Sequence, residues 1–495
     1  YRWGFVAIGY RAAKDNNSVG ANNLTYGTFI GYEAGKGNSN NSGATVVGMQ
    51  AGLISAGPDS VAIGRNAGRN NTATGTISVG YQAGYSQTSG TDNTYIGYEA
   101  GFSGTTATYR TFLGYQAGRL NTGTQNIFIG QRAGSGSGSG ANNAVVASNA
   151  FKAANCGNRN SILGYGNMVN STGDDNVAVG YEAGLALTTG FKNTLIGNLA
   201  ATSITTQQNV TTVGSDSLRN NTADYITAFG ASAGNGNTSG TQNTYIGYSS
   251  GTLNQTGSNN TYLGYTAGAY AQSSSGNTAV GTEASQGAFF NTANNNTSIG
   301  YQAGKSIATG GDGNTMIGYQ AGLTLTTGDN NLILGNTATP SAITVNNEIT
   351  LGNSSISTLR CAVTSITSLS DERDKKDIKD LEYGLAFIDA LQPREFVWDN
   401  RTEVIKVGKR IETGEYETDE QGEIVYDEIE VFSANKGKKD FGFIAQEVRE
   451  LDNDTLRLVY TENEDKLEMS YGKLVPILVK AIQDLSAKVK ALENA

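Results

Sequence analysis

The chain has 495 residues and a formal net charge of −10, and this length predicts two or more modules. The complete absence of histidine excludes Ser-His-Asp and Cys-His catalysis and every histidine-containing metal site. There is neither a run of ~18 apolar residues nor a basic patch, so we expect no membrane insertion and no nucleic-acid partner. The chain starts at Tyr1 rather than Met, so we expect a fragment or a processed product.

Composition changes abruptly near residue 370. Residues 1–370 contain 59 of the 66 glycines and are nearly neutral, with 15 basic and 14 acidic residues. Residues 371–495 contain 19 basic and 30 acidic residues. The change predicts a domain boundary at this point.

A repeat fills residues 1–352. The phrase "YIGYEAG" (95–101) returns as "FLGYQAG" (112–118), and 21 copies can be aligned, mostly 16 or 17 residues apart. The central Gly, or its substitute, falls at 9, 31, 48, 64, 80, 97, 114, 130, 147, 164, 180, 197, 214, 230, 247, 264, 281, 300, 318, 335 and 352. The residue before it is apolar in every copy, from Ile8 to Leu351, which predicts a column of stacked core side chains.

Other positions of the repeat have their own meaning. Asn stands four residues before the central Gly in more than half of the copies, which predicts capped turns and stacked amide ladders. A second Gly follows four residues after the first in 13 copies, as at Gly101, and suits a corner with positive φ. Each unit has room for two or three short strands.

A unit of about 17 residues cannot bury its own apolar face, so the copies must stack. We therefore predict an all-β solenoid (a parallel β-roll or β-helix) over residues 1–352, as a rod on the order of 100 Å long. Because such a coil encloses only a narrow core, we expect three chains to bury it together.

The copies "NVAVGYEAG" (176–184) and "SVAIGRNAG" (60–68) resemble the head repeats of trimeric autotransporter adhesins, whose unit reads roughly N-S-V-A-I-G-x-x-A. The resemblance implies a trimer of left-handed parallel β-rolls. This chain differs in its longer period and in the Tyr that follows the Gly.

Tyr follows the central Gly in 11 copies, from Tyr10 to Tyr319. Such a column either stacks on sugar rings or packs as a structural ladder against the next coil or chain, and the periodicity favours the ladder. The next residue varies among polar types, such as Glu33, Glu99 and Gln302, and is expected in solvent. Acidic residues are too sparse here to favour a glycoside hydrolase.

Residues 353–370 alternate like strands and are interpreted as a β connector. Residues 371–495 are interpreted as a small α/β domain, with a helix at 383–391, strands at 403–412 and 423–434, and a strand running into a helix at 441–451. A C-terminal helix is predicted at 470–494. Its coiled-coil seam consists of Val475, Leu478, Ile482, Leu485, Val489 and Leu492. A parallel coiled coil with this choice of seam residues usually contains two helices, whereas the solenoid favours an assembly of three chains.

Ser370 stands at the boundary, in "SDERDKKDI" (370–378). Without histidine, a serine can still act as a nucleophile if a neutral lysine takes its proton, which requires burial of that lysine or nearby cations. Lys375, five residues on, can return to Ser370 across a turn. Taken alone, this spacing is weak evidence for a catalytic pair, and a stretch of charged side chains exposed to solvent is the simpler interpretation.

Together with "FGFIAQEV" (441–448) and "MSYGKLVPILVKAIQDL" (469–485), the boundary motif closely resembles the C-terminal intramolecular chaperone domain of phage endosialidase tailspikes. Ser370, Asp371, Arg373 and Lys375 match the family pattern S-D-x-R-L-K, and Asp374 replaces its apolar residue. The resemblance implies a domain that trimerises, templates the preceding fibre and cuts itself off. Ser370 is then the nucleophile and Lys375 the general base.

The family places the cut between Ser370 and Asp371. Attack of the serine on the preceding carbonyl, that of Leu369, is the chemically easier N-to-O shift. We therefore place the cut within one residue of Ser370.

We interpret the chain as a trimeric phage tail fibre or tailspike, made in the host cytoplasm and carried on the virion. Its expected partners are two further copies, a host cell-surface glycan or protein receptor, and tail or baseplate proteins bound through a preceding segment. No cofactor and no metal is expected. Two alternatives stay open: a bacterial trimeric surface adhesin and, less favoured, a glycan depolymerase.

Overall fold

The computed structural model describes residues 4–15, 26–37, 42–54, 57–136, 138–288, 291–356, 358–360, 372–399, 403–408, 426–431, 437–452, 455–460 and 467–494. The chain divides into two compact units, Tyr1–Asn330 and Asn331–Ala495.

The first unit is a stack of short parallel strands, one for each copy of the repeat. Each strand includes the residue before the central Gly. Most strands end there, and three of them end one residue after the central position. The strands are β1 (Phe5–Ile8), β2 (Gly27–Ile30), β3 (Thr45–Val47), β4 (Val61–Ile63), β5 (Ile77–Val79), β6 (Thr94–Ile96), β7 (Thr111–Leu113), β8 (Ile127–Ile129), β9 (Ala144–Ser148), β10 (Ser161–Tyr165), β11 (Val177–Tyr181), β12 (Thr194–Ile196), β13 (Thr211–Val213), β14 (Thr227–Phe229), β15 (Thr244–Ile246), β16 (Thr261–Leu263), β17 (Thr278–Val280), β18 (Thr297–Ile299) and β19 (Thr315–Ile317).

Each strand pairs in parallel with the strand one repeat further on, so that equivalent positions face each other. Tyr95 of β6, for example, is paired with Phe112 of β7. The described part of each coil has this one strand rather than two or three, and most of the remainder is turn. Turn amides also bond to the next coil, as Gly101 N–H does to Ala117 O at 3.0 Å. The fold is therefore the predicted parallel β-solenoid with coils of about 17 residues.

The predicted core column is wrong by one residue. The apolar residue before the central Gly is not buried in any coil, and Ile63 and Leu113 are 39% and 41% exposed. The interior side chain is instead the residue two before the Gly, which is buried in every coil from Phe29 to Met316 of this unit. Successive strand residues point to opposite faces, so only one of the two positions can lie inside.

Two further columns complete the interior. The residue three after the central Gly, usually Ala as at Ala100 and Ala117, is fully buried. The Asn column forms the predicted amide ladder. Asn143 N–H donates to Asn126 Oδ1 at 2.9 Å, Asn160 N–H donates to Asn143 Oδ1 at 2.9 Å, and Asn143 Nδ2 donates to Gly157 O at 2.9 Å. These bonds satisfy buried backbone groups at the corner.

The central Gly is required where coils approach most closely. Gly97 has φ 138°, which L side chains rarely adopt, and a β-carbon there would overlap Gly114 O of the next coil. The same conflict recurs along the stack, which explains why Gly marks the repeat.

The second unit begins with two more parallel strands and continues as a small α/β structure. Residues 353–356 and 358–360 form no strand. The elements are β20 (Leu332–Leu334), β21 (Ile349–Leu351), a 3-10 helix (Glu372–Asp374), α1 (Leu385–Ala390), β22 (Arg394–Val397), β23 (Glu403–Gly408), β24 (Tyr426–Val431), β25 (Lys439–Gly442), α2 (Ala445–Asp452), β26 (Val459–Tyr460), β27 (Glu468–Met469), a second 3-10 helix (Tyr471–Lys473) and α3 (Leu474–Glu493).

Antiparallel pairs β22–β25, β23–β24 and β26–β27 accompany the three helices. The predicted helix at 383–391, the strand pair and the strand-to-helix segment at 441–451 are confirmed. Phe387 and Leu391 lie in one core with Leu474 and Ile477 of α3. No helix among the described residues is long and apolar enough to cross a membrane.

Candidate functional site

The predicted cleavage motif is only partly within the described residues. Leu369, Ser370 and Asp371 lie outside them. Arg373 and Lys375 follow in and after the 3-10 helix Glu372–Asp374, where Lys375 N–H donates to Glu372 O at 3.1 Å. Both side chains are exposed. Because Ser370 lies outside the described residues, its pairing with Lys375 stays a prediction.

The six predicted seam residues share one property: all are exposed on α3. The exposed fractions are 58% for Val475, 44% for Leu478, 66% for Ile482, 50% for Leu485, 45% for Val489 and 78% for Leu492. Pro476 lies in the first turn of the helix, where its missing N–H has no intrahelical partner to lose.

The face of α3 next to these six residues holds the helix in its own domain. Leu474, Ile477 and Ala481 are buried. Sequence analysis missed this second apolar face, although its spacing of three and four residues is also helical. Because the domain's own core uses one face, the predicted seam face is left uncovered in the single chain.

The solenoid has a comparable uncovered surface, here called the outer strand face. It consists of the residues one and three before each central Gly. The residue one before is always apolar, and Thr is the commonest residue three before. Ile96 and Thr94 of β6 are 37% exposed and half-buried, respectively. The solenoid therefore carries a continuous stripe of half-covered aliphatic side chains.

The Tyr column packs on itself. Tyr98 stacks between Tyr81 and Tyr115, with ring centroids 4.9 Å and 5.2 Å away and interplanar angles of 21° and 15°. Tyr301 and Tyr319 repeat this geometry at 5.3 Å. Since the ring faces cover one another, only ring edges remain for a ligand, and the structural-ladder interpretation fits better than sugar stacking.

The position after the Tyr was expected in solvent, and this is wrong for several coils. Glu33, Glu283 and Gln302 are 7%, 3% and 4% exposed. Glu33 accepts a bond from Lys36 Nζ at 2.9 Å and one from Gln50 Nε2 at 3.1 Å, and these donors lower the pKa of Glu33. Glu283 likewise accepts from Gln302 Nε2 and Lys305 Nζ, both at 2.7 Å. Bonds between coils bury these side chains.

Other chemistry is sparse in the part of the chain that the structure describes. No group of three or more Cys, Asp or Glu side chains is placed to hold a metal ion there. Cys156 is buried, and burial raises the pKa of its thiol to about 12. A thiol that stays protonated is a poor nucleophile.

Comparison with known proteins gives one result. Residues 370–457 match the family model described as chaperone of endosialidase, which is named as a peptidase family. The match begins at Ser370 and includes Lys375, α1 and α2. Searches of the curated proteins and of the solved structures found no match. The chain thus joins a parallel β-solenoid to a C-terminal segment that matches the endosialidase-chaperone family, and this combination supports a phage tail-fibre or tailspike-like protein with its own intramolecular chaperone.

Proposed function

We propose that the chain is one subunit of a homotrimeric tail fibre or tailspike on the virion, which takes part in host attachment. In this proposal the C-terminal domain brings three chains into register, templates the solenoid and is released by cleavage next to Ser370. Two further copies, a host surface glycan or protein, and tail or baseplate proteins are the partners.

The observation that carries the proposal is the outer strand face. An apolar residue stands at this position in all 21 copies, although packing within the single chain does not require it, since this side chain is never buried there. Full burial of such a side chain stabilises by about 1.5–3 kcal/mol, so covering the exposed half is worth about 1 kcal/mol per coil before assembly costs. Identical chains running in parallel would place the same position of each chain at a shared axis.

The uncovered face of α3 supplies the starting contact. A seam of six apolar residues is under three heptads long, so these helices would associate stably only as part of a larger assembly. Pairing between chains is non-local, so the correct register of many similar coils is slow to find and prone to slip. A C-terminal clamp fixes that register once, at one end.

Cleavage would follow from the Ser–Lys pair. Ser370 Oγ attacks the carbonyl carbon of an adjacent peptide bond, and Lys375 Nζ takes the hydroxyl proton and returns it to the leaving nitrogen. Water then hydrolyses the ester. Lys375 is exposed in the single chain, whereas a lysine base needs desolvation or nearby cations. We infer that assembly of the three chains supplies this environment, so that cutting follows trimerisation.

Mass spectrometry tests both parts of the proposal on the expressed full chain. Native spectra are expected to give a trimer, and denaturing spectra two fragments that meet within one residue of Ser370. Ser370→Ala and Lys375→Ala are expected to leave one chain of 51.7 kDa. Lys376→Ala, the neighbouring lysine, is the matched control and should cut normally.

Normal fragmentation of the Ser370→Ala or Lys375→Ala variant would reject the pair. A monomer in native spectra of uncut Ser370→Ala would reject the trimer. A dimer would reject the three-chain arrangement and agree with the two-helix coiled coil that the composition of the seam favours.

A further inference from the structure

Four arginines gather on one side of the solenoid, in the coils centred on Gly64 to Gly130. They are Arg65, Arg69, Arg119 and Arg132, here called the arginine strip. Arg65 and Arg132 are exposed, and Arg69 and Arg119 are half-buried. The strip spans four coil steps, or ~19 Å at the usual spacing of parallel strands. Residues 1–370 have only 15 basic residues, so four together form a local concentration.

Aromatic rings hold three of these arginines in place. The guanidinium carbon of Arg65 lies 4.6 Å from the ring centroid of Tyr81, that of Arg69 5.5 Å from Tyr85, and that of Arg119 5.5 Å from Phe102. Stacking on a ring fixes a guanidinium while leaving in-plane N–H groups for hydrogen bonds. The strip is therefore an ordered array of donors.

Most of the positive charge in the strip is not neutralised. Arg119 Nε pairs with Glu99 Oε2 at 2.6 Å. Arg69 Nη1 donates to Tyr85 Oη at 3.0 Å, and Arg132 Nε donates to Gln116 Oε1 at 3.3 Å, both neutral groups. Within the described residues, Arg65 forms no ion pair. The strip thus carries about three uncompensated positive charges in a solenoid that is otherwise close to neutral.

The chemistry around the arginines favours a saccharide as the anionic ligand. Gln116 and the Glu99 carboxylate link the array, with Gln116 Nε2 donating to Glu99 Oε2 at 3.0 Å. Tyr98 and Tyr115 directly precede Glu99 and Gln116 in the chain, and both tyrosine side chains are exposed. The Glu99 carboxylate can accept bonds from hydroxyl groups, which a polysaccharide carries on every unit and a DNA backbone lacks.

We propose that the arginine strip binds an acidic polysaccharide, with its anionic groups on the guanidinium groups and its hydroxyls on Glu99, Gln116 and the tyrosine edges. This proposal rests on the proposed function, because a host-surface glycan is a ligand that a tail fibre would meet. The further proposal specifies that this glycan is anionic and that it binds at the arginine strip.

The test measures binding of the full-length chain to immobilised polygalacturonate, a linear polyuronate, with dextran as the neutral probe and single-stranded DNA as a competitor. Salt-dependent binding to polygalacturonate but not to dextran is expected. Replacing Arg65, Arg69, Arg119 and Arg132 together by Gln should weaken it at least about tenfold, because the charge-assisted hydrogen bonds to the anionic groups are lost.

Two variants keep the result interpretable. Arg65→Gln with Arg132→Gln removes only arginines without a carboxylate partner, so it should fold normally and still lose several-fold in affinity. Arg219→Gln is the matched control, because Arg219 occupies the same repeat position as Arg119 and is also paired with a carboxylate, that of Asp216 at 3.1 Å, but lies six coils further along, outside the strip. This variant should bind as wild type. Circular dichroism checks that each variant is folded.

No binding by wild type, equal binding by the double variant, or stronger competition by DNA than by free polygalacturonate would each overturn the proposal. These outcomes are separable from failure of the fibre proposal, because trimer mass and cleavage are read independently on the same variants.

Discussion

The side chain of Asp484 in α3 accepts a hydrogen bond at 3.3 Å from the backbone N–H of Leu385, the first residue of α1, 99 positions earlier in the chain. The residue before α1 is Gly384, which offers no side-chain cap, and a β-carbon there would overlap Asp484 Oδ2. The last helix of the chaperone domain thus caps its first helix, as a local Asp at the N-terminus usually would.

This contact predicts a pH-dependent effect of Asp484→Asn. The bonds from Lys480 Nζ at 2.9 Å and from Leu385 N–H hold the pKa of Asp484 below its ordinary value of 3.8. A carboxyl with a lowered pKa contributes stability above its unfolded pKa and loses it as the pH falls through the folded one. The variant should therefore melt below wild type at pH 7, and the two melting curves should converge as the pH falls below 3.8. A gap that stays constant with pH would contradict this.

The Asn ladder predicts a strong contrast between neighbouring positions. Asn143 Nδ2 donates to Gly157 O, whereas the carboxylate of Asn143→Asp has no N–H to donate and brings a negative charge close to that carbonyl. An unsatisfied buried polar group costs about 1–3 kcal/mol. Asn142→Asp is the control, because Asn142 is exposed. Thermal unfolding followed by circular dichroism should show a clear loss for position 143 only. Equal melting temperatures would mean that the ladder contributes little.

Arg110 is buried without an acidic partner, and its removal should be costly. Its Nη2 donates to Gln87 Oε1 at 2.8 Å and its Nη1 to Asn121 O at 3.1 Å, and the side chain fills the space beside Gly104. Arg110→Ala removes these charge-assisted hydrogen bonds, each worth about 1.5–3 kcal/mol, and opens a cavity, so the melting temperature should fall sharply.

Arg110→Asn combined with Gly104→Asn should recover part of that loss. In the next coil the equivalent residues, Asn121 and Asn126, form this pair, with Asn126 Nδ2 donating to Asn121 Oδ1 at 3.1 Å. The double variant therefore copies an arrangement that the solenoid already contains. If it melts no higher than Arg110→Ala, the two coils are not equivalent in this way.

The tyrosine ladder predicts that the ring matters more than the hydroxyl. Tyr98→Ala removes two stacked pairs, each worth about 0.5–1.5 kcal/mol, whereas Tyr98→Phe keeps both. Tyr109→Ala is the control, since Tyr109 is 61% exposed. Melting temperatures should fall for Tyr98→Ala alone. A comparable fall for Tyr98→Phe would assign the effect to the hydroxyl instead.

The outer strand face predicts a loss of assembly without loss of the coil. Ile96→Asp with Ile246→Asp places charges where we propose that other copies pack, and buried unpaired charges are costly. Native mass spectrometry should show fewer trimers, while Thr106→Asp, at an exposed site, should leave them unchanged. Intact trimers in the double variant would remove this face as the interface.

The repeat made the fold predictable from the sequence. It did not show which of two neighbouring strand positions faces the interior, and the core column was therefore predicted one residue too late. A spacing of 16 or 17 residues with an invariant apolar site predicts stacked parallel strands. Alternation along a strand shows which residues share a face but not which face is enclosed. Ile96 was the better candidate because its position is apolar in every copy, whereas its interior neighbour, Tyr95, belongs to a column that also holds Ala and Ser.

The candidate site was predictable to different degrees. Helical spacing placed the six predicted seam residues on one helix, where the structure shows them exposed, and their pairing with another chain stays a prediction. The anchoring face at Leu474 was hidden because both faces of that helix are apolar. The arginine strip escaped detection because Arg65 and Arg132 are 67 positions apart in the sequence, and only the stacking of coils brings them together.

The spacing of the interior bonds has a genetic consequence. Each coil bonds to the coil before it and the coil after it through equivalent positions, so adding or deleting one whole repeat leaves every ladder in phase. Turns absorb small deviations, as in the 19 residues from Gly281 to Gly300. Recombination between gene stretches that encode similar repeats can therefore lengthen or shorten the solenoid by whole coils without disturbing the bonds inside it.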